Sequence, residues 1–168
     1  LLASAASWAT PSAWFVVGED PAIGGDTFTS QFKITNNSDN GEKITSLSFV
    51  LPTGFVFDID SSDLNNQARA FTSAIRGYLL DPATSTLPAD NGTSLLLGFS
   101  GFDGFPENQT SCGAGVDCQY GWTVDVDAIG GTASNGDVRV MTNQLFGAQI
   151  AVTFSDGTVA RGALGACT

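Results

Sequence analysis

Residues 120–127 read YGWTVDVD, and the polarity of this run alternates at every position after Gly121. In an extended chain successive side chains face opposite ways. Tyr120, Trp122, Val124 and Val126 therefore line one side, and Thr123, Asp125 and Asp127 line the other. One apolar face and one wet face predict a half-buried strand. The same period of two recurs along the chain. It groups Phe28, Ser30, Phe32 and Ile34; Leu47, Phe49 and Leu51; Phe55, Phe57 and Ile59; Leu95, Leu97 and Phe99; and Ile150, Val152 and Phe154.

The punctuation between these runs fits an antiparallel fold. Asn40-Gly41 and Asp156-Gly157 each separate two alternating stretches, which predicts type I′ hairpin turns at both. Pro52 and Gly54 interrupt what would otherwise merge into one long strand. The reading is all-β: a single antiparallel β-sandwich or jelly roll of about eight or nine strands. From Ser62 to Tyr78, Leu64, Ala68, Phe71 and Ile75 recur at helical spacing, so one short helix capped by Ser62 or Asp63 is expected there.

The 168 residues suit one domain with a real core. Six Lys and Arg against 17 Asp and Glu leave a net charge of −11, which argues against a nucleic-acid partner. The chain has no His, which removes Ser-His-Asp and Cys-His catalysis, His-ligated zinc and a His proton switch. No segment approaches the roughly 20 apolar residues of a membrane span. An acidic, Lys-poor surface and an initial LLASAASWA with the small residues of a processed signal-peptide end give the expectation of a secreted, extracellular or cell-surface protein.

The first 17 residues carry no charge and include Trp8, Trp14, Phe15, Val16 and Val17. They divide off as an apolar arm ahead of a β-sandwich domain over 18–168. Such an arm is either the first strand of its own sandwich or a strand donated to a neighbour.

Cys112 and Cys118 enclose a short Gly-containing loop and are expected to form a disulfide worth about 2 kcal/mol by chain entropy. Cys167 is left over as a free thiol, a re-paired cysteine or an intermolecular bridge.

Acids on alternate positions raise metal binding. Asp58, Asp60 and Asp63 in DIDSSD supply oxygens of the kind Ca²⁺ takes, although Ca²⁺ wants six to eight of them. The plainer alternative is a solvated acidic face, with no cofactor at all. Asp103 and Glu107 sit in a loop as acids, but nothing around them separates their pKa values as glycoside hydrolysis requires, and no enzyme is expected. Asn36, Asn91 and Asn108 each open an Asn-x-Ser/Thr tripeptide, which marks them as glycosylation candidates if they lie in loops.

Three stretches, FKITNNSDNGEKITSLSFVLPTGFVFD (32–58), YGWTVDVDA (120–128) and GAQIAVTFSDGTVARGAL (147–164), together resemble exported bacterial surface β-sandwich proteins of the PEP-CTERM-associated type. That resemblance implies secretion and a surface or matrix role, and supplies no catalytic residues. The chain departs from the type in having no Pro-Glu-Pro motif, apolar anchor or basic tail at its end. The expectation is either a removed tail or another means of retention outside the cell.

The function expected from these features is that of a secreted structural subunit. It would polymerise head to tail with copies of itself by β-strand addition through the arm. The alternative is a carbohydrate-binding or Ca²⁺-dependent adhesion module with an extracellular glycan as partner.

Overall fold

The computed structural model describes residues 10–18, 27, 31–38, 41–59, 71–73, 80–102, 119–130 and 140–165. Within them the chain forms ten strands: β1 (Ala13–Val17), β2 (Phe32–Asn36), β3 (Ile44–Val50), β4 (Phe55–Asp58), β5 (Thr72–Ser73), β6 (Ser94–Phe102), β7 (Gln119–Thr123), β8 (Asp125–Ala128), β9 (Gln149–Phe154) and β10 (Val159–Ala163). A single 3₁₀ turn, Thr142–Leu145, is the helical element among the described residues. The expected helix over 62–78 meets the described chain at 71–73, where Thr72 and Ser73 instead form β5 against Thr123 and Trp122.

All pairings are antiparallel, in two four-stranded sheets, β1-β2-β7-β5 and β10-β9-β3-β6, with a two-stranded ribbon of β4 and β8. The sheets face one another through aromatic rings. Phe15 of β1 stacks on Phe49 of β3 with ring centroids 5.3 Å apart, and Phe32 of β2, itself stacked on its cross-strand partner Trp122, meets Phe49 edge-on at 5.7 Å. Tyr120 meets Phe99 of β6 edge-on at 5.1 Å. Offset and edge-to-face rings of this kind add to the stabilisation from area burial alone.

The alternation in the sequence maps onto this core. Phe32, Ile34, Leu47, Phe49, Leu97, Trp122, Val152 and Phe154 are all buried. Ile44 joins them out of phase with Leu47 because the ladder slips between Ile44 and Ser46, and a β-bulge of this kind lets odd and even positions point the same way.

One hairpin departs from its expected form. β9 and β10 are joined around Asp156-Gly157, but only Gly157 lies at positive φ, +86°. A type I′ turn needs both central residues there. Here the Asp156 carboxylate accepts from the Thr158 backbone N–H at 2.8 Å, capping a turn closed by Gly157 N–H to the Phe154 carbonyl. Gly41 is also at positive φ, and Asn40 lies outside the described residues.

Candidate functional site

β7 and β8 are one run of chain broken at Val124. Before the break it pairs with β2 and β5, and after it with β4. The change of sheet alters which side is wet. Thr123 and Asp125, expected outside, are each only 2% exposed, while Val124 and Val126 are fully buried as expected.

The β4–β8 register places Asp58 directly opposite Asp125, with Asp127 two residues on and facing the same side. One carboxylate oxygen from each of Asp58, Asp125 and Asp127 lies within 4.8 Å of the others. Asp58 is buried too.

The Asp125 side chain is held in a fixed orientation. Its Oδ1 accepts from the Val126 backbone N–H at 2.8 Å, and the Thr27 hydroxyl lies 3.2 Å from both that oxygen and the Val126 carbonyl. Thr27 is itself fully buried, tied by its N–H to the Val140 carbonyl at 2.9 Å. Asp125 Oδ2 is buried with no hydrogen-bond partner. Burial pushes the Asp125 carboxyl up to about 7, and the neighbouring acids Asp127 and Asp58 add to the rise. Removing a carboxylate from water disfavours its charged form, and like charges disfavour it further.

Of the expected Ca²⁺ ligands, Asp58 is therefore placed with Asp125 and Asp127, while Asp60 and Asp63 lie outside the described residues. The strand pairing that makes this cluster joins residues more than 60 positions apart. The visible signal was the alternating pair Asp125/Asp127, which period two assigned to the solvent.

A second feature lies at one side of the sandwich. Among the described residues, β1 and β10 each have a strand neighbour on one side only. Between them runs a groove with a volume of about 380 Å³, whose lining includes Ala13, Phe15, Ile150, Val152, Ala160 and Gly162. It exists because the inward positions of β10 are small. A Cβ added at Gly162 would meet nothing within 4 Å. The far edge of the same sheet is different. There β6 is covered by residues 80–86, which bridge Leu80 to Phe99 and Thr86 to Leu96.

The expected assembly residues divide. Trp14, Phe15, Val16 and Val17 belong to β1 and pair with Thr35, Ile34, Lys33 and Phe32 of the same chain. Phe15 packs into the core, whereas Trp14 is 70% exposed. Trp8 lies outside the described residues, as do Cys112, Cys118, Cys167, Asp103, Glu107 and Asn108.

Asn36, the first glycosylation candidate, is placed inside the fold and not in an exposed loop. It ends β2 fully buried, its Nδ2 donating to the Glu42 carbonyl at 2.8 Å and its Oδ1 accepting from Ser38 N–H at 3.0 Å. Asn91 is exposed in a turn at φ +58°, with Nδ2 2.6 Å from Asp90 Oδ2. Tyr120 and Trp122 are core residues, so neither offers a ring face to a sugar.

No protein-family model matches the chain. No curated protein matches it either. Among solved structures it is similar to a DUF4466 family protein from Parabacteroides merdae, at 14% identity and a TM-score of 0.41. The alignment covers 95% of this chain and 44% of that one, so the chain spans less than half the length of that relative.

Proposed function

We propose that this chain is a structural subunit of an extracellular filament or matrix, and that copies join head to tail by β-strand addition. The observation that carries the reading is the groove between β1 and β10, flanked by two strand edges that are unpaired among the described residues. An exposed edge presents a row of backbone N–H and C=O groups, and an incoming strand satisfies them. A groove behind the edge adds burial for every second side chain of that strand.

The occupant proposed is the LLASAASWA segment at 1–9 of a neighbouring copy. It is uncharged, and one of its two faces as a strand is Leu1, Ala3, Ala5, Ser7 and Ala9. The small side chains of Ala3, Ala5, Ser7 and Ala9 suit a groove lined by Ala13, Ala160 and Gly162. Trp8 then falls on the opposite face. The same segment precedes β1 in the chain, and β1 holds Trp14 out of its own core at 70% exposure. A contact of this kind does not close on itself and propagates as a fibre.

The test compares the full chain with a truncation lacking residues 1–9 and with Gly162→Val, by electron microscopy and light scattering. Truncation stops short of Ser12, whose backbone is bonded to Ser38 and Asn37, so the fold is retained. Full-length chain is expected to form fibres, and both variants to stay monomeric with unchanged melting. Polymerisation of the truncated chain, or a full-length chain that remains monomeric, overturns the proposal.

A further inference from the structure

We propose that Asp58, Asp125 and Asp127 form a binding site for a divalent cation of the Ca²⁺ class, built by the β4–β8 ribbon and closed by Thr27. Two independent observations point there. The first is convergence: three carboxylates from two strands bring oxygens within 4.8 Å of one another. An ion centred among three oxygens at that limiting spacing sits about 2.8 Å from each, and a contraction of a few tenths of an ångström reaches the 2.3–2.6 Å that Ca²⁺ prefers.

The second observation is the state of Asp125. At 2% exposure its Oδ2 has no donor, and the charged neighbours acting on it are acids. Burying a carboxylate without a partner is costly, and the cost is normally met by pairing or by a metal. Meanwhile Oδ1 is fixed by Val126 N–H and Thr27, which leaves the carboxyl oriented by the protein and not free to turn to water. An acidic surface patch has none of these properties. This is a preorganised carboxylate with one lone-pair set unused.

The donor set selects the ion. All three ligands are hard oxygens, and the chain contains no His. Soft or borderline metals that favour nitrogen and sulfur therefore have little to hold them. Mg²⁺ demands a tight octahedron at about 2.0–2.1 Å, with adjacent oxygens about 3 Å apart, whereas Ca²⁺ accepts wider and less regular spacing. Backbone carbonyls and water supply the remaining positions in such sites. The site differs from the DIDSSD loop suggested by sequence, since it takes only Asp58 from that stretch.

The experiment is calorimetric titration of CaCl₂ into the full-length chain after EDTA treatment, with melting curves run in parallel. The expected result is saturable binding of one Ca²⁺ and a rise in melting temperature that EDTA reverses. Asp127→Asn and Asp125→Asn are each expected to weaken binding at least tenfold. Asp127 is the more informative, because it is only half-buried and its substitution spares the fold. The double variant Asp60→Asn/Asp63→Asn is expected to bind as the parent does. Absence of saturable binding overturns the proposal, as does undiminished binding by Asp127→Asn. So does loss of binding confined to the Asp60/Asp63 variant.

Discussion

Asp58 and Asp125 stand directly across the β4–β8 ribbon from one another, two acids on one face with almost no access to solvent. Like charges in directly opposed positions oppose pairing. The ribbon nevertheless forms, anchored by Phe57 and Val126, which pair in register and are both fully buried.

The relationship fixes the pH response of the cation-free protein. The folded chain holds a proton on Asp125 up to about pH 7, whereas the ordinary carboxyl releases it near 3.8. The folded state thus binds the proton more tightly than the unfolded state, and stability falls as pH rises between those two values. In EDTA the melting temperature is expected to rise on acidification from pH 8 to pH 5. Asp125→Asn should flatten that dependence, and a parent curve that falls over the same interval would contradict the assignment.

Gly98 of β6 admits no side chain. An added Cβ would overlap the Thr84 hydroxyl and lie 2.7 Å from Thr84 Cβ and 2.9 Å from its carbonyl carbon. The strand lies close because Asp81 N–H donates to the Gly98 carbonyl and Gly98 N–H donates to Ser85 Oγ, each at 2.9 Å. Gly98→Ala is expected to lower stability by about 1–3 kcal/mol, the usual cost of overpacking. Urea denaturation measures it as a lower midpoint.

Phe32 and Trp14 make a contrasting pair. Phe32 is fully buried between Trp122 and Phe49, so Phe32→Ala should cost about 3–5 kcal/mol. Trp14 is 70% exposed, and Trp14→Ser should change monomer stability by no more than about 0.5 kcal/mol. Denaturation of the two variants side by side distinguishes a core aromatic from one held outside.

At the β9–β10 turn, Gly157 lies at φ +86° with open space around it. Gly157→Ala therefore meets backbone strain without a clash, at about 1–2 kcal/mol. Thr158 bonds hold the neighbouring Asp156 carboxylate below its ordinary value, so the turn's contribution is kept above that range and fades as the acid is protonated. Hydrogen exchange at Phe154 and Thr158 should report faster local opening in the variant.

Much of the sandwich was legible in the chain because period two survives wherever a strand buries one face throughout its length. Phe32 and Ile34, Leu95 and Leu97, and Val152 and Phe154 are such cases. The rule failed where a strand changes surroundings midway. Thr123 and Asp125 keep the outward phase of their run, yet the passage from one sheet to the ribbon at Val124 buries both. Thr27 helps to close the site from nearly a hundred residues away, and no local periodicity announces it. Asn36 was misleading for a related reason: its tripeptide looks like a turn, but its amide finishes β2 by bonding the Glu42 carbonyl. The Asp58–Asp125–Asp127 cluster was half visible, as two alternating pairs whose meeting depended on strand register.

Among the described residues, the two margins of the β10-β9-β3-β6 sheet are finished unequally, β10 without an outer neighbour and β6 overlaid by residues 80–86. A sheet trimmed in this way has a front and a back. Insoluble aggregates thicken by laying edge on edge indefinitely, which requires every unit to be sticky at both margins. Here the overlay on β6 takes up hydrogen-bonding positions at Leu96 and Phe99, where β10 has no such cover among the described residues. Edge-to-edge growth of this sheet is therefore hindered at the β6 margin by the segment that overlies it.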